Sequence, residues 1–202
     1  DEYKSINNKF VYWKYKLGDF DAFNTAKQIL ADSDATPQDK MAASRFFACI
    51  RERKKIVDFA SGKIEKLKQL VAENEDKKIL VFGGANAFTD ILTEATYPMS
   101  LAYHSKKTMK QRREALQKFK DGDINVLCST KALNQGLDIP NASVGVICGL
   151  TSKSLTMIQR LGRLIRFEKD KEGKIYILYI KDSQEEKWLR ESVKTLKNIT
   201  WL

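Results

Sequence analysis

Residues 78–103 read KILVFGGANAFTDILTEATYPMSLAY. KILVF (78–82) and MSLAY (99–103) are short apolar runs, and residues 85–95 between them carry apolar side chains at helical spacing, which predicts strand, helix, strand. The alternation continues downstream. INVLCS (124–129), SVGVIC (143–148) and KIYILYI (174–180) are further candidate strands, and 108–120, 155–166 and 183–196 are further candidate helices. Strands that are apolar on both faces and separated by helices predict a mostly parallel sheet covered on both sides, a three-layer α/β domain. In such sheets ligands bind at the loops that follow the strand C-termini, so chemistry is sought there.

Upstream, SGKIEKLKQLVAEN (61–74) places Ile64, Leu67, Leu70 and Val71 at i, i+3, i+6 and i+7, the pattern of an amphipathic helix. Residues 1–60 form a helical segment without recognisable chemistry. Asp19 or Asp21 caps a helix running towards Leu30, and Thr36-Pro37 opens another through Ile50. The expected division is 1–60 as helical segment and 61–202 as α/β domain. With 202 residues, 43% apolar and 31% charged, the chain is long enough and apolar enough to fold around a core. No run is long and apolar enough to span a bilayer, which predicts a soluble, intracellular protein. Three cysteines far apart, Cys49, Cys128 and Cys148, and one histidine, His104, predict neither a disulfide framework nor a metal site. The net charge of +10 suits a polyanionic partner such as nucleic acid.

A phosphate-binding P-loop is missing. Gly62-Lys63 and Gly173-Lys174 have Val57 and Glu168 where the first glycine belongs, and Ile follows each Lys. The informative segments are two. In SLTMIQRLGRLIR (154–166), Ile158, Leu161 and Ile165 form one helical stripe, while Gln159, Arg163 and Arg166 form another. A pair of guanidiniums on one face suits phosphate oxygens and the charge that develops in phosphoryl transfer. The plain alternative is a solvated basic face. Gly162 inside this helix implies close approach of another backbone or a ligand. In VLCSTKALNQGLDIP (126–140) a buried strand ends in Ser129-Thr130 and leads to Gly136 and Asp138. These hydroxyls and this carboxylate suit a phosphate and a ribose, or simply cap a strand-to-helix turn.

STKALNQGLDIP and QRLGRLIR, at this separation and on successive strand–loop–helix units, resemble motifs V and VI of the superfamily 2 helicases and translocases. KILVF resembles the strand of motif IV, and YHSK (103–106) with QRREALQKFKDG (111–122) resembles the segment that follows in their second RecA-like lobe. The resemblance implies that residues 61–202 form that lobe, with a RecA-like fold. It implies that Arg163 and Arg166 are arginine fingers reaching the γ-phosphate of ATP held by a first lobe. Gln159, Gly136 and Asp138 would lie near the nucleotide, and Ser129, Thr130, His104, Ser105 and Lys106 on the nucleic-acid track. ATP and Mg2+ are thus cofactors of the full-length parent enzyme, and this chain alone, lacking a P-loop, is expected to bind neither stably and to be inactive.

DEAD-box RNA helicases open motif VI with His and place Gly after the next residue between its last arginines, where this chain has Gln159 and Leu164-Ile165. That departure is closer to the DNA-directed branch of repair, transcription-associated, phage and restriction-type motors. The expected partners are DNA, with RNA as the alternative, and the first RecA-like lobe of the same polypeptide, with no membrane. The expected place is the cytoplasm or nucleoid, the host interior for a phage protein or the nucleus in a eukaryote. Lys106, Lys107, Lys110, Arg112, Arg113, Lys118 and Lys120 supply sequence-tolerant backbone contacts, or a solvated face. Residues 1–60 would be an inter-lobe insertion or linker. The competing function is an ATP-independent nucleic-acid-binding or regulatory module with the same fold. A Cys–His nucleophile is a third reading that nothing in the sequence recommends.

Overall fold

The computed structural model describes residues 2–130, 142–151, 154–165, 173–194, 196 and 198–201. The chain divides into two compact units, Asp1–Val57 and Asp58–Leu202.

The first unit holds three helices: α1 (Glu2–Lys16), α2 (Ala22–Ala31) and α3 (Pro37–Asp58). Ala22, Ala26 and Ala43 are buried with Leu17 and Phe46, and their small side chains let the helices approach closely. Asp21 sits at the N-cap of α2 but makes no capping bond there; its carboxylate accepts instead from the Asn24 side chain. Thr36 caps as expected, its Oγ1 accepting from the Asp39 backbone N–H at 3.1 Å with Pro37 in the first turn. The helix it opens does not end near Ile50 but runs to Asp58. Arg53 explains part of that continuation: its guanidinium lies 4.0 Å from the Phe10 ring centroid and donates to the Tyr3 hydroxyl, so a charged residue stays buried within the helix.

The second unit contains α4 (Ser61–Ala72), α5 (Asn86–Ala95), α6 (Met109–Asp121), α7 (Ser154–Leu164) and α8 (Gln184–Val193) around five strands. These are β1 (Ile79–Phe82), β2 (Ser100–Tyr103), β3 (Val126–Ser129), β4 (Val144–Ile147) and β5 (Lys174–Ile177), all parallel, in the order β2-β3-β1-β4-β5. Every expected strand is present, shortened at its ends. Strand periodicity divides the interior in two. Ile79, Val81, Val126, Cys128, Val144, Val146 and Cys148 face Leu67, Leu70 and Val71 of α4 and Phe88 and Leu92 of α5. Leu80, Phe82, Leu127 and Ile147 face the other way, onto Ala115 and Phe119 of α6, Ile158 and Leu161 of α7, and Leu189 and Val193 of α8. This is the three-layer arrangement. Among the described residues no helix is long and apolar enough to cross a membrane.

Candidate nucleic-acid and nucleotide interface

β1 and β4 are neighbours, yet α5 leaves β1 on one face of the sheet and α7 follows β4 on the other. Adjacent strands whose chains turn to opposite faces create the crevice where open α/β sheets bind ligands. Here glycines bring its two walls together. A Cβ on Gly149 would lie 2.4 Å from the Gly83 carbonyl oxygen and 2.8 Å from Gly84 Cα, and Gly84 itself has φ +76°. The Gly83-Gly84 pair therefore serves backbone packing.

Beside this crevice the strand ends of β1, β2 and β3 gather polar groups. The β1–β3 ladder continues past both strands, with Gly83 N–H donating to the Ser129 carbonyl (2.9 Å) and Gly84 N–H to that of Thr130 (3.1 Å). The Thr130 hydroxyl donates to Asn86 Oδ1 at 2.6 Å and lies 3.2 Å from the Thr89 hydroxyl. Asn86 Nδ2 is also 3.5 Å from Ser105 Oγ. Next to them His104 Nε2 lies 3.0 Å from Asp90 Oδ1, which the Lys107 ammonium reaches at 2.8 Å. Burial pushes the Asp90 carboxyl up, but the hydrogen bonds from Lys107 and His104 outweigh it and hold the group below the usual carboxylate range.

The expected site residues divide. Ser129, Thr130, His104 and Ser105 come together at one end of the sheet, with Lys106 exposed next to Ser105. Ser129 and His104 are buried, at 4% and 5% exposure, so the open surface is supplied by Thr130, Asn86, Ser105 and Lys106. In α7, Ile158 and Leu161 are buried as their spacing predicts, as is Ile165 just past its end, where it bridges to Ala142, and Gln159 and Gly162 are exposed. Apart from its chain neighbours and the backbone of α7 itself, nothing lies within 4 Å of where a Gly162 Cβ would sit, so the close approach expected there is not made by another described element. Gln159 and Gly162 also line a groove of about 920 Å³ along β5. Gly136, Asp138 and Arg166 lie outside the described residues, as does the Arg163 side chain. Within the basic stretch Lys107 pairs with Asp90 and Lys118 with Glu114.

Asn86, Thr89, Asp90 and Lys63 escaped the sequence reading. Asn86 had a signal, since it opens the helix that follows a strand end. Lys63 had none. Its ammonium is buried beneath the β4 exit, donating to the Cys148 carbonyl (2.8 Å) and pairing with Glu185 Oε1 (2.7 Å). Glu185 in turn accepts from the N–H groups of Leu150 and Ile180. Burial raises its carboxyl above the usual range, against the pull of Lys63. The backbone on both sides of Gly149, just ahead of α7, is thereby pinned to α4 and α8. All three cysteines are free and buried; burial pushes the Cys128 thiol up to about 12 and Cys148 higher still. His104 is bonded to Asp90, and no metal-binding cluster of His, Cys, Asp and Glu forms among the described residues.

Residues 62–168 match the family described as "Helicase conserved C-terminal domain". The chain is 30% identical over 158 residues to DNA 3'-5' translocase XPB2 of Sulfurisphaera tokodaii, covering 78% of this chain and 34% of that protein. It is 32% identical over 127 residues to DNA 3'-5' helicase XPB of Mycobacterium tuberculosis, covering 62% and 22%. Its fold is similar to the Pyrococcus furiosus Hef helicase domain, with a TM-score of 0.51, 21% identity and coverage of 85% and 38%. It is also similar to domain 2 of the DEAD-box helicase Mss116p bound to an RNA duplex, with a TM-score of 0.53, 26% identity and coverage of 71% and 56%. The chain spans about a third or less of the length of these curated relatives.

Proposed function

The chain belongs to the helicase conserved C-terminal domain family, the second lobe of superfamily 2 helicases, and from this we propose that it is the arginine-supplying, strand-contacting lobe of an ATP-dependent DNA helicase or translocase. The observation that carries the reading is the arrangement of α7. Its apolar stripe is sunk in the core while Gln159 and Gly162 face outward with open space beyond. Arg163 and Arg166 continue that polar stripe in the sequence. An open helix face of this composition accommodates phosphates presented by a first lobe of the same polypeptide. ATP with Mg2+ supplies the free energy when held there, and Gln159, Arg163 and Arg166, with Gly136 and Asp138, are the residues of this chain assigned to it. Arginines so placed stabilise charge on a transferring phosphoryl group without moving a proton.

The nucleic-acid backbone is assigned to the strand-end cluster, through Thr130, Ser105 and Lys106 directly. Ser129 and His104 act from below by holding the loops, a change from their expected role in keeping with their burial. DNA is preferred over RNA because the relative that shares 30% identity over 78% of this chain is named a DNA translocase and because Gln159 stands where the DEAD-box RNA helicases have His; an RNA-directed relative matches 70% of the chain and shares the same lobe. Residues 1–60 are assigned to an inter-lobe insertion or linker, and the chain alone is assigned no ATP turnover because it carries no P-loop.

Arg166→Ala in the complete enzyme should reduce DNA-stimulated ATP hydrolysis by about 10³-fold or more and leave DNA affinity within a few-fold. Retained hydrolysis would refute the assignment and favour a lobe that binds without ATP.

A further inference from the structure

From Tyr3 to Gly18 the sequence carries Lys4, Lys9, Lys14 and Lys16 and no acidic residue, interleaved with Tyr3, Phe10, Tyr12, Trp13 and Tyr15. Helix α1 sorts these onto opposite faces. Ile6 is buried, and Phe10, Trp13 and Leu17, at i+4, i+7 and i+11 from it, pack in the core of the helical unit. The opposite stripe, Lys4, Asn8, Val11, Tyr12, Tyr15 and Lys16, is exposed, with Tyr15 at 74% and Tyr12 at 53%. Lys14 is taken by Asp19, 2.7 Å away, whereas Lys16 lies 5.9 Å from the Tyr12 ring centroid.

A helix face that merely needs solubility mixes both charge signs, commonly as i, i+4 pairs. This one has a single sign and leaves two aromatic rings in water. Lysines of one sign complement a polyanion, and exposed rings between them offer stacking faces to bases that are not already paired. The combination fits a single strand rather than a duplex, whose bases are stacked on each other, and rather than an acidic protein, which has no use for the rings.

We propose that the exposed stripe of α1 is a platform for single-stranded DNA, with Tyr12 and Tyr15 stacking on bases and Lys4 and Lys16 meeting phosphates. The platform belongs to the helical unit and stands or falls independently of the strand-end cluster in the second unit.

Anisotropy of labelled oligo-dT titrated with the intact chain tests it. Tyr12→Ala/Tyr15→Ala should weaken binding by at least about ten-fold, since each stacked base contributes roughly 5- to 150-fold, and Tyr12→Trp/Tyr15→Trp should preserve it. Lys4→Gln/Lys16→Gln should flatten the slope of log K against log salt by roughly 1.4, about 0.7 for each phosphate no longer neutralised. Unchanged affinity and slope in these variants overturn the proposal, and that is the result expected if the stripe instead covers a protein surface. An equal loss on blunt duplex DNA overturns the stacking assignment. Should a variant misfold, photocrosslinking the unaltered chain to bromodeoxyuridine-substituted oligo-dT decides: adducts at Tyr12 or Tyr15 support the platform, and adducts confined to Asp58–Leu202 overturn it.

Discussion

Asp90 holds the Lys107 ammonium and the His104 ring on one oxygen while its side chain is 44% exposed. Its folded carboxyl titrates below the ordinary range, so the unfolded chain binds the proton first as pH falls. The stabilisation is therefore present above the unfolded value of about 3.9 and is lost as pH drops through the folded one. Asp90→Asn should lower stability at neutral pH by less than about 1 kcal/mol, solvent screening keeping the effect small. Urea midpoints should show that gap closing as pH is taken below the folded value; a gap that persists in acid would mean that Asp90 acts by packing. Little of this could be read beforehand. The family resemblance put His104 on the nucleic-acid track, but the residue that captures it lies on a different element, fourteen positions away.

At the level of elements, glycines rank the contacts between strand exits and helices. Gly149→Ala drives a methyl against the backbone of Gly83 and Gly84, which cannot move without separating β1 from β4. Gly145→Ala meets the side chains of Leu161 and Ile165 first, which can give more readily than backbone, and Gly62→Ala meets nothing within 4 Å. The expected order in chemical denaturation is a loss of about 3 kcal/mol for Gly149→Ala, about 1 for Gly145→Ala, and for Gly62→Ala no loss or a gain of roughly 0.5–1 kcal/mol. Equal losses at Gly149 and Gly62 would show that the crevice walls do not meet at these glycines. The elements themselves were legible, because continuous apolar runs and a period of 3.6 are written in neighbouring residues. Their ends were less so. α3 outruns its expected limit because Arg53 finds ring faces on α1, and local propensity does not encode that contact.

Across the second unit, Lys63 and Glu185 connect the first turn of α4, the β4 exit and α8 through one buried pair, 2% and 0% exposed. Lys63→Met strands a buried carboxylate and should cost about 3–5 kcal/mol, whereas Lys63→Met/Glu185→Leu should recover most of it. A double-mutant cycle on denaturation midpoints checks this, and additive losses would show that the two charges do not act as a pair. Because the pair pins the backbone ahead of α7, the single variant should also loosen the helix to which the arginines are assigned.

The parallel α/β lobe, its strand and helix inventory and its motor-family motifs were all present in local pattern, since burial on both faces forces continuous apolar strands and motif spacing follows from strand–loop–helix units. Which side chains converge was not. The closure of the crevice by Gly83 and Gly149, the capture of His104 by Asp90, and the meeting of Lys63 with Glu185 across 122 positions depend on strand order and on the hand of each crossover. Those are properties of the packed sheet: buried charges and close backbone contacts are selected by what surrounds them in space, and chain neighbours carry no trace of it.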